Sequence, residues 1–300
     1  MRPVLLAAAC AALPHMTLAQ TVEVDTAIGP VQAPARPGTV AVFDLAAIDA
    51  LDALGIAIHG VPDVAAPAYL QDAMAPAETV GTLFEPDFEA LAAMAPDLIV
   101  AGGRSQAQVD PLGRIAPTLD MTITGDDLVG QARARIVAYG AIFGREDEAD
   151  DIVAAFDATI SSARAAVADK GDVLILLTNG GKLSAYGDDS RFGWIHTELG
   201  LAEAYPDLTA DSHGEAVSFE FVASVDPDWI LVIDRGAAIG QEGEAAQATL
   251  DTPLIAGTTA GETGQIVYLD SGPLYLAGGG IQSMTGTIGE IVAAMGDTGS

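Results

Sequence analysis

The feature that most constrains this chain is a phrase that occurs twice. Residues 88–104 read FEALAAMAPDLIVAGGR and residues 219–235 read FEFVASVDPDWILVIDR, aligned without a gap. Phe88, Glu89, Pro96, Asp97 and Arg104 recur as Phe219, Glu220, Pro227, Asp228 and Arg235. Each copy reads as a short helix, a Pro-Asp turn, a buried strand and an arginine where the strand ends. A duplicated helix–strand unit points to two similar Rossmann-like α/β lobes. In parallel sheets, ligands bind beyond the carboxyl ends of the strands, and Arg104 and Arg235 both stand there, one per lobe. The helix before each strand runs antiparallel to it, so Glu89 and Glu220 open their helices at that same edge.

The remaining pattern fits two lobes around a connector. Residues 1–19 read as a signal peptide: a positive start at Arg2, an apolar stretch from Val4 to Leu13, and Thr17-Leu18-Ala19 before Gln20. The alternative makes Cys10, the single cysteine, a lipid anchor, with an apolar region at the lower limit of such segments. Residues 20–145 form the expected first lobe: a leader strand and loop to Pro37, then a strand at 40–43, a helix at 45–54 and a strand at 56–61. Residues 146–170 read as one long helix. Ala149, Ile152, Val153, Phe156, Ile160, Ala163 and Val167 recur at helical spacing, with acidic residues crowding the first turn. Residues 171–300 form the second lobe, opening on the apolar run from Val173 to Leu177 and closing on a helix at 282–295.

Charge excludes one class of partner. Twelve Lys and Arg against 42 Asp and Glu give a net charge of −30, the opposite of a nucleic-acid footprint. In so acidic a chain, arginines at matched positions stand out. Their plain alternative is surface pairing with the abundant carboxylates. Equivalent placement after buried strands favours grip on an anion, for which the guanidinium fork suits flat, charge-dense oxygens.

Other candidates are weaker on their own residues. Arg191 follows a hairpin pattern and precedes a helix, and pairing with Asp188 or Asp189 is as good a reading of it. His213 and Tyr275 are hard-metal ligand types in loop-like contexts, and read alone they are surface or packing residues. His59 and His196 lie in apolar patterns and read as structural. The run Ala277-Gly278-Gly279-Gly280 loosely resembles a phosphate cradle but lacks the P-loop lysine. There is no HExxH or paired Cys/His spacing, no nucleophile elbow, and no residue pair that declares an acid/base role. The expectation is a binding protein without an intrinsic cofactor, not an enzyme.

The phrases EPDFEALAAMAPDLIVAGGRSQ, LTNGGKLSAYGDDSRFGWIHTELGL, SHGEAVSFEF, DPDWILVIDR and YLAGGGIQS together resemble the periplasmic binding proteins of ABC importers for iron–siderophores and cobalamin. They are most similar to the branch that takes catecholate siderophores. The resemblance implies a class III periplasmic binding protein, with the ligand cleft between two lobes joined by one long helix. It implies that Arg104, Arg191 and Arg235 grip a ferric catecholate or mixed carboxylate–catecholate, with Fe(III) arriving as part of the complex. It also implies that His213 and Tyr275 ligate iron where the siderophore leaves two positions open. Glu89 and Glu220 correspond to the lobe-tip glutamates that dock on an ABC permease dimer in the inner membrane, which places a monomeric receptor in the periplasm. Haem or cobalamin as ligand is the alternative within the fold, and an exported α/β hydrolase is the alternative outside it.

Overall fold

The computed structural model describes residues 20–296 apart from 126, 209–212, 242 and 244. The expected export segment and Cys10 lie outside the described residues. The leader region forms an antiparallel hairpin, Thr21–Thr26 against Gly29–Pro34, instead of a single strand and loop. A glycine at φ 100° opens its second strand, and left-handed backbone there costs a glycine nothing.

The first lobe is built on a five-stranded, all-parallel sheet. Its order is Glu78–Thr79, Gly60–Val61, Val40–Val42, Leu98–Ala101, Thr118–Asp120. The three residues of Val40–Val42 and the four of Leu98–Ala101 are all buried, as strands covered on both faces must be. The strand expected over 56–61 is shorter, pairing only at Gly60–Val61. Gly60 sits close against Ala41 and the end of the Met94 side chain, which would have to shift to admit a Cβ.

The second lobe is a mixed sheet. Asp172–Asn179 pairs parallel with Trp229–Asp234, which pairs parallel with Ile266–Tyr268. On its other side Asp172–Asn179 turns at Gly180-Gly181 into the antiparallel strand Lys182–Tyr186, and Glu215–Val217 pairs antiparallel with that strand. Both turn glycines have positive φ, as a two-residue hairpin of this kind requires.

The long helix runs Glu146–Ala166, about 32 Å at 1.5 Å per residue. Ala149, Phe156, Ile160 and Ala163 form its buried stripe, while Glu146, Asp147 and Glu148 suit the positive end of its dipole. It packs on Leu128–Phe143 of the first lobe and Trp194–Leu199 of the second. The last helix, Ile281–Gly296, leaves the second sheet and packs on both the long helix and Leu45–Ala53 of the first lobe. Asp49, fully buried on Leu45–Ala53, accepts hydrogen bonds from the Gln282 and Ser283 amides, 2.9 Å each, and from the Tyr69 hydroxyl at 2.6 Å. It thereby satisfies amide donors that the start of the last helix would otherwise leave bare. The glycine run before that helix serves this contact, since a Cβ at Gly280 would overlap the Asp49 carboxylate.

The repeat is also a repeat of capping. Asp87 accepts from the amides of Glu89 and Ala90 at the start of Phe88–Met94, and Ser218 accepts from the Phe221 amide at the start of Phe219–Val225. Both helices end on a non-glycine residue in left-handed conformation, Ala95 at φ 50° and Asp226 at φ 52°. The aspartate of each Pro-Asp turn then ties down the first strand of its own lobe. Asp97 accepts from the Gly38 and Thr39 amides, and Asp228 from the Asp172 amide.

Candidate functional site

A cleft of about 840 Å³ opens between the lobes. Phe43, Asp44, Arg104, Ile123 and Arg135 line it from the first lobe; Arg191, Phe192, Trp194, His213 and Tyr275 line it from the second. The three sequence-predicted arginines meet at one residue in this cleft, Tyr275.

Arg104 lies in the 3-10 turn that follows the strand Leu98–Ala101. Its Nη2 donates to the Tyr275 carbonyl at 3.1 Å and its Nη1 to the Leu276 carbonyl at 3.4 Å. These carbonyls end the short helix Ser271–Leu276, where helix geometry leaves acceptors open and favours a cation. Arg104 therefore reaches across the cleft to the opposite lobe. Arg191 donates from Nη2 to the same Tyr275 carbonyl at 3.0 Å. Its guanidinium lies 4.7 Å from the centroids of both the Phe192 and the Tyr275 rings. Arg104 is 5.1 Å from the Tyr275 centroid, so two cations share one aromatic ring.

Arg235 follows the strand Trp229–Asp234 directly. It does not form part of the cleft wall but acts behind Tyr275. Its Nε donates to the Tyr275 hydroxyl at 3.2 Å and its Nη1 to Asn179 Oδ1 at 3.3 Å. Burial opposes ionisation of the Tyr275 phenol, but the Arg235 hydrogen bond and the charges of Arg235, Arg191 and Arg104 outweigh it. The phenol is held below its ordinary pKa. Burial, and then repulsion from Arg104, push the Arg191 guanidinium down. Like charges packed this closely in a partly dry cleft are relieved when an anion enters between them.

His213 lines the cleft and is exposed, and its carbonyl accepts from the Tyr186 hydroxyl at 2.7 Å. Among the described residues, no group of three or more His, Cys, Asp and Glu is placed to hold a metal ion. His196 is buried with Nδ1 3.1 Å from the Leu201 carbonyl, and His59 accepts from the Val40 amide, both structural as expected. Glu89 and Glu220 are exposed in the first turns of their helices. The Glu220 carboxyl is held below the usual range by its own amide and by the Ser218 hydroxyl.

Two cleft residues escaped the sequence reading. Asp44 caps the helix Leu45–Ala53 through the Ala46 amide, and Arg135 projects from the helix Leu128–Phe143. Burial raises the Asp44 carboxyl, against the pull of Arg135. The available signal for Arg135 was its helical register with Ala132, Ile136 and Tyr139, all on the buried face.

The family model for periplasmic binding proteins matches residues 40–273. The chain belongs to this family. The petrobactin-binding protein YclQ of Bacillus subtilis is 35% identical over 266 residues, 86% of this chain and 82% of that protein. Its crystal structure matches at a TM-score of 0.87 with 32% identity, covering 92% of this chain and 99% of that one. The ferric-anguibactin-binding protein FatB of Vibrio anguillarum is 27% identical over 264 residues, 86% of this chain and 82% of that protein. The periplasmic catecholate-siderophore binding protein VctP of Vibrio cholerae matches at a TM-score of 0.81 with 30% identity, over 92% of this chain and 99% of that one. The fold is thus the two-lobed binding-protein fold that the duplicated phrase implied, and these relatives are binding proteins, not enzymes. Among the described residues no helix is long and apolar enough to cross a membrane.

Proposed function

We propose that this chain is the extracytoplasmic solute-binding component of an ABC importer, and that its cleft holds a ferric siderophore of catecholate or mixed carboxylate–catecholate type. The observation that carries the reading is the convergence of Arg104, Arg191 and Arg235 on Tyr275 at an inter-lobe cleft. A ferric tris-catecholate carries about three negative charges, and Arg104 and Arg191 in the cleft wall, with Arg235 beside the Tyr275 hydroxyl, set positive charge against it while the rest of the surface stays acidic. The ligands named for YclQ, FatB and VctP support the same class. No chemical step is required of the protein.

Direct ligation of Fe(III) by His213 and Tyr275 forms part of this proposal. A phenol held below its ordinary pKa is the better ligand for a hard cation, because it ligates as phenolate. Delivery to a permease dimer through the exposed Glu89 and Glu220, by a monomer working in the periplasm, completes it.

The test is tryptophan quenching, for which Trp194 in the cleft wall is a local reporter. Ferric catecholates are expected to bind at least tenfold more tightly than neutral ferric hydroxamates, and Arg191→Ala should erase most of that margin. Equal affinity for the two classes sinks the charge argument. Ligand-to-iron charge-transfer bands that persist unchanged in both His213→Ala and Tyr275→Phe would remove direct ligation while leaving siderophore binding intact.

A further inference from the structure

Besides Arg104 and Arg191 the cleft is lined by a third arginine, one that takes no part in the contacts at Tyr275. Arg135 is only 7% exposed, yet its side chain lines the cleft floor on the first-lobe side with Asp44, Ile123 and Gly278. Its ion-pair partner among the described residues is Asp44, with Nη1 to Oδ2 at 3.8 Å, beyond hydrogen-bond length. Among the described residues its Nη2 has no hydrogen-bond partner. One helical turn on, the fully buried Tyr139 hydroxyl also lacks a hydrogen-bond partner among the described residues. Buried guanidiniums are normally saturated with acceptors, and the exceptions point to a role. The Asp44 carboxylate balances the charge of Arg135, so a second anion is poorly suited to this corner. A neutral group carrying a strong acceptor is well suited, because it completes the guanidinium without disturbing the pair.

We infer that Arg135, held by Asp44, forms a second subsite in the cleft floor that takes a carbonyl oxygen from the uncharged amide framework of the ligand. The inference rests on the ferric-siderophore reading and deepens it. The triad at Tyr275 measures charge, whereas Arg135 measures the ligand's hydrogen-bonding arms. Ligands of equal charge would then be ranked by their backbones.

The experiment compares two iron(III) complexes of the same charge by fluorescence quenching. One is the tris complex of plain catechol; the other is the tris complex of N,N-dimethyl-2,3-dihydroxybenzamide, which adds a carbonyl acceptor to each ring. Wild type is expected to prefer the amide complex about tenfold, and Arg135→Met to reduce that ratio to near one. Because the two tris complexes carry the same charge, a change in cleft potential cancels from the ratio. Arg135→Lys keeps the charge beside Asp44 but loses the planar fork, so it too should lose most of the preference if Arg135→Met fails to fold. An unaltered ratio in both variants, or no preference in wild type, makes Arg135 a purely structural residue and overturns the inference alone. If wild type binds neither complex, the siderophore reading itself falls and takes this inference with it.

Discussion

The two copies of the repeat are alike in backbone and unlike in what their arginines do. Both helices are capped by a side chain at the same register, both end in a left-handed residue, and both Pro-Asp turns tether a first strand. Yet Arg104 reaches across to the carbonyls of Tyr275 and Leu276 in the opposite lobe, while Arg235 stays within its own lobe and holds the Tyr275 hydroxyl. The difference begins at the strand ends. Arg235 follows its strand immediately, whereas Gly102 and Gly103 carry Arg104 further out into a turn. Duplication thus supplies the scaffold, and a short difference in reach gives one arginine a bridging role and the other a tuning role.

That contrast can be broken most directly at the arginines. Arg104→Ala should cost roughly 4 kcal/mol in ferric-catecholate binding, several hundredfold, because a cation that faces the ligand and bridges the lobes is removed. Arg235→Ala should cost about a tenth as much in fold terms, since it acts through Tyr275. Isothermal titration of both variants checks the order, and equal losses would mean the two copies act alike.

A second bridge sharpens the contrast, because Asp49 of the first lobe holds the start of the last helix. Burial pushes its carboxyl up to about 6, from an ordinary 3.8. The folded chain therefore binds this proton more readily than the unfolded chain between about pH 4 and pH 6. The contribution of Asp49 to stability falls as pH rises through that window and is level above it, a change of roughly 3 kcal/mol. Asp49→Asn should gain on wild type by about that amount between pH 4 and pH 7. Urea denaturation across this range reads the difference, and parallel curves would contradict it.

The tethers come next in size. Asp97→Ala removes the acceptor for two amides and Asp228→Ala the acceptor for one, so losses of roughly 2 and 1 kcal/mol are expected in chemical denaturation. The smallest effect belongs to the caps. Asp87→Ala should lose about 1 kcal/mol and Ser218→Ala slightly less, because Asp87 caps two amides and Ser218 one. A larger loss at Ser218 would show that the lobes do not share their capping energetics.

The sequence was informative wherever a local rule controlled the outcome. The duplicated phrase made both buried strands and both terminal arginines legible, and helical spacing gave the connector to within a few residues of its Glu146–Ala166 extent. The leader hairpin and the short Gly60–Val61 strand were not legible, because pairing with distant segments decides where such strands form. Arg191 depended on family resemblance, since nothing in its own neighbourhood distinguishes a cleft arginine from one paired with Asp188. The part Tyr275 plays was hidden for a different reason. Its carbonyl, a group every residue has, accepts from two of the three arginines. Arg135 and Asp44 were hidden because their partnership joins residues far apart in the chain on a face that otherwise reads as core.

The last helix, packed on Leu45–Ala53, has a consequence for how the molecule comes into being. The first lobe takes part of its covering from residues 281–296, more than two hundred residues further along the chain than Leu45–Ala53. The first lobe cannot cover this face of Leu45–Ala53 from its own residues. Contacts between segments more than two hundred residues apart slow folding through the loop that has to be closed. Covering of the first lobe is therefore a late event in folding, a delay written into chain order alone.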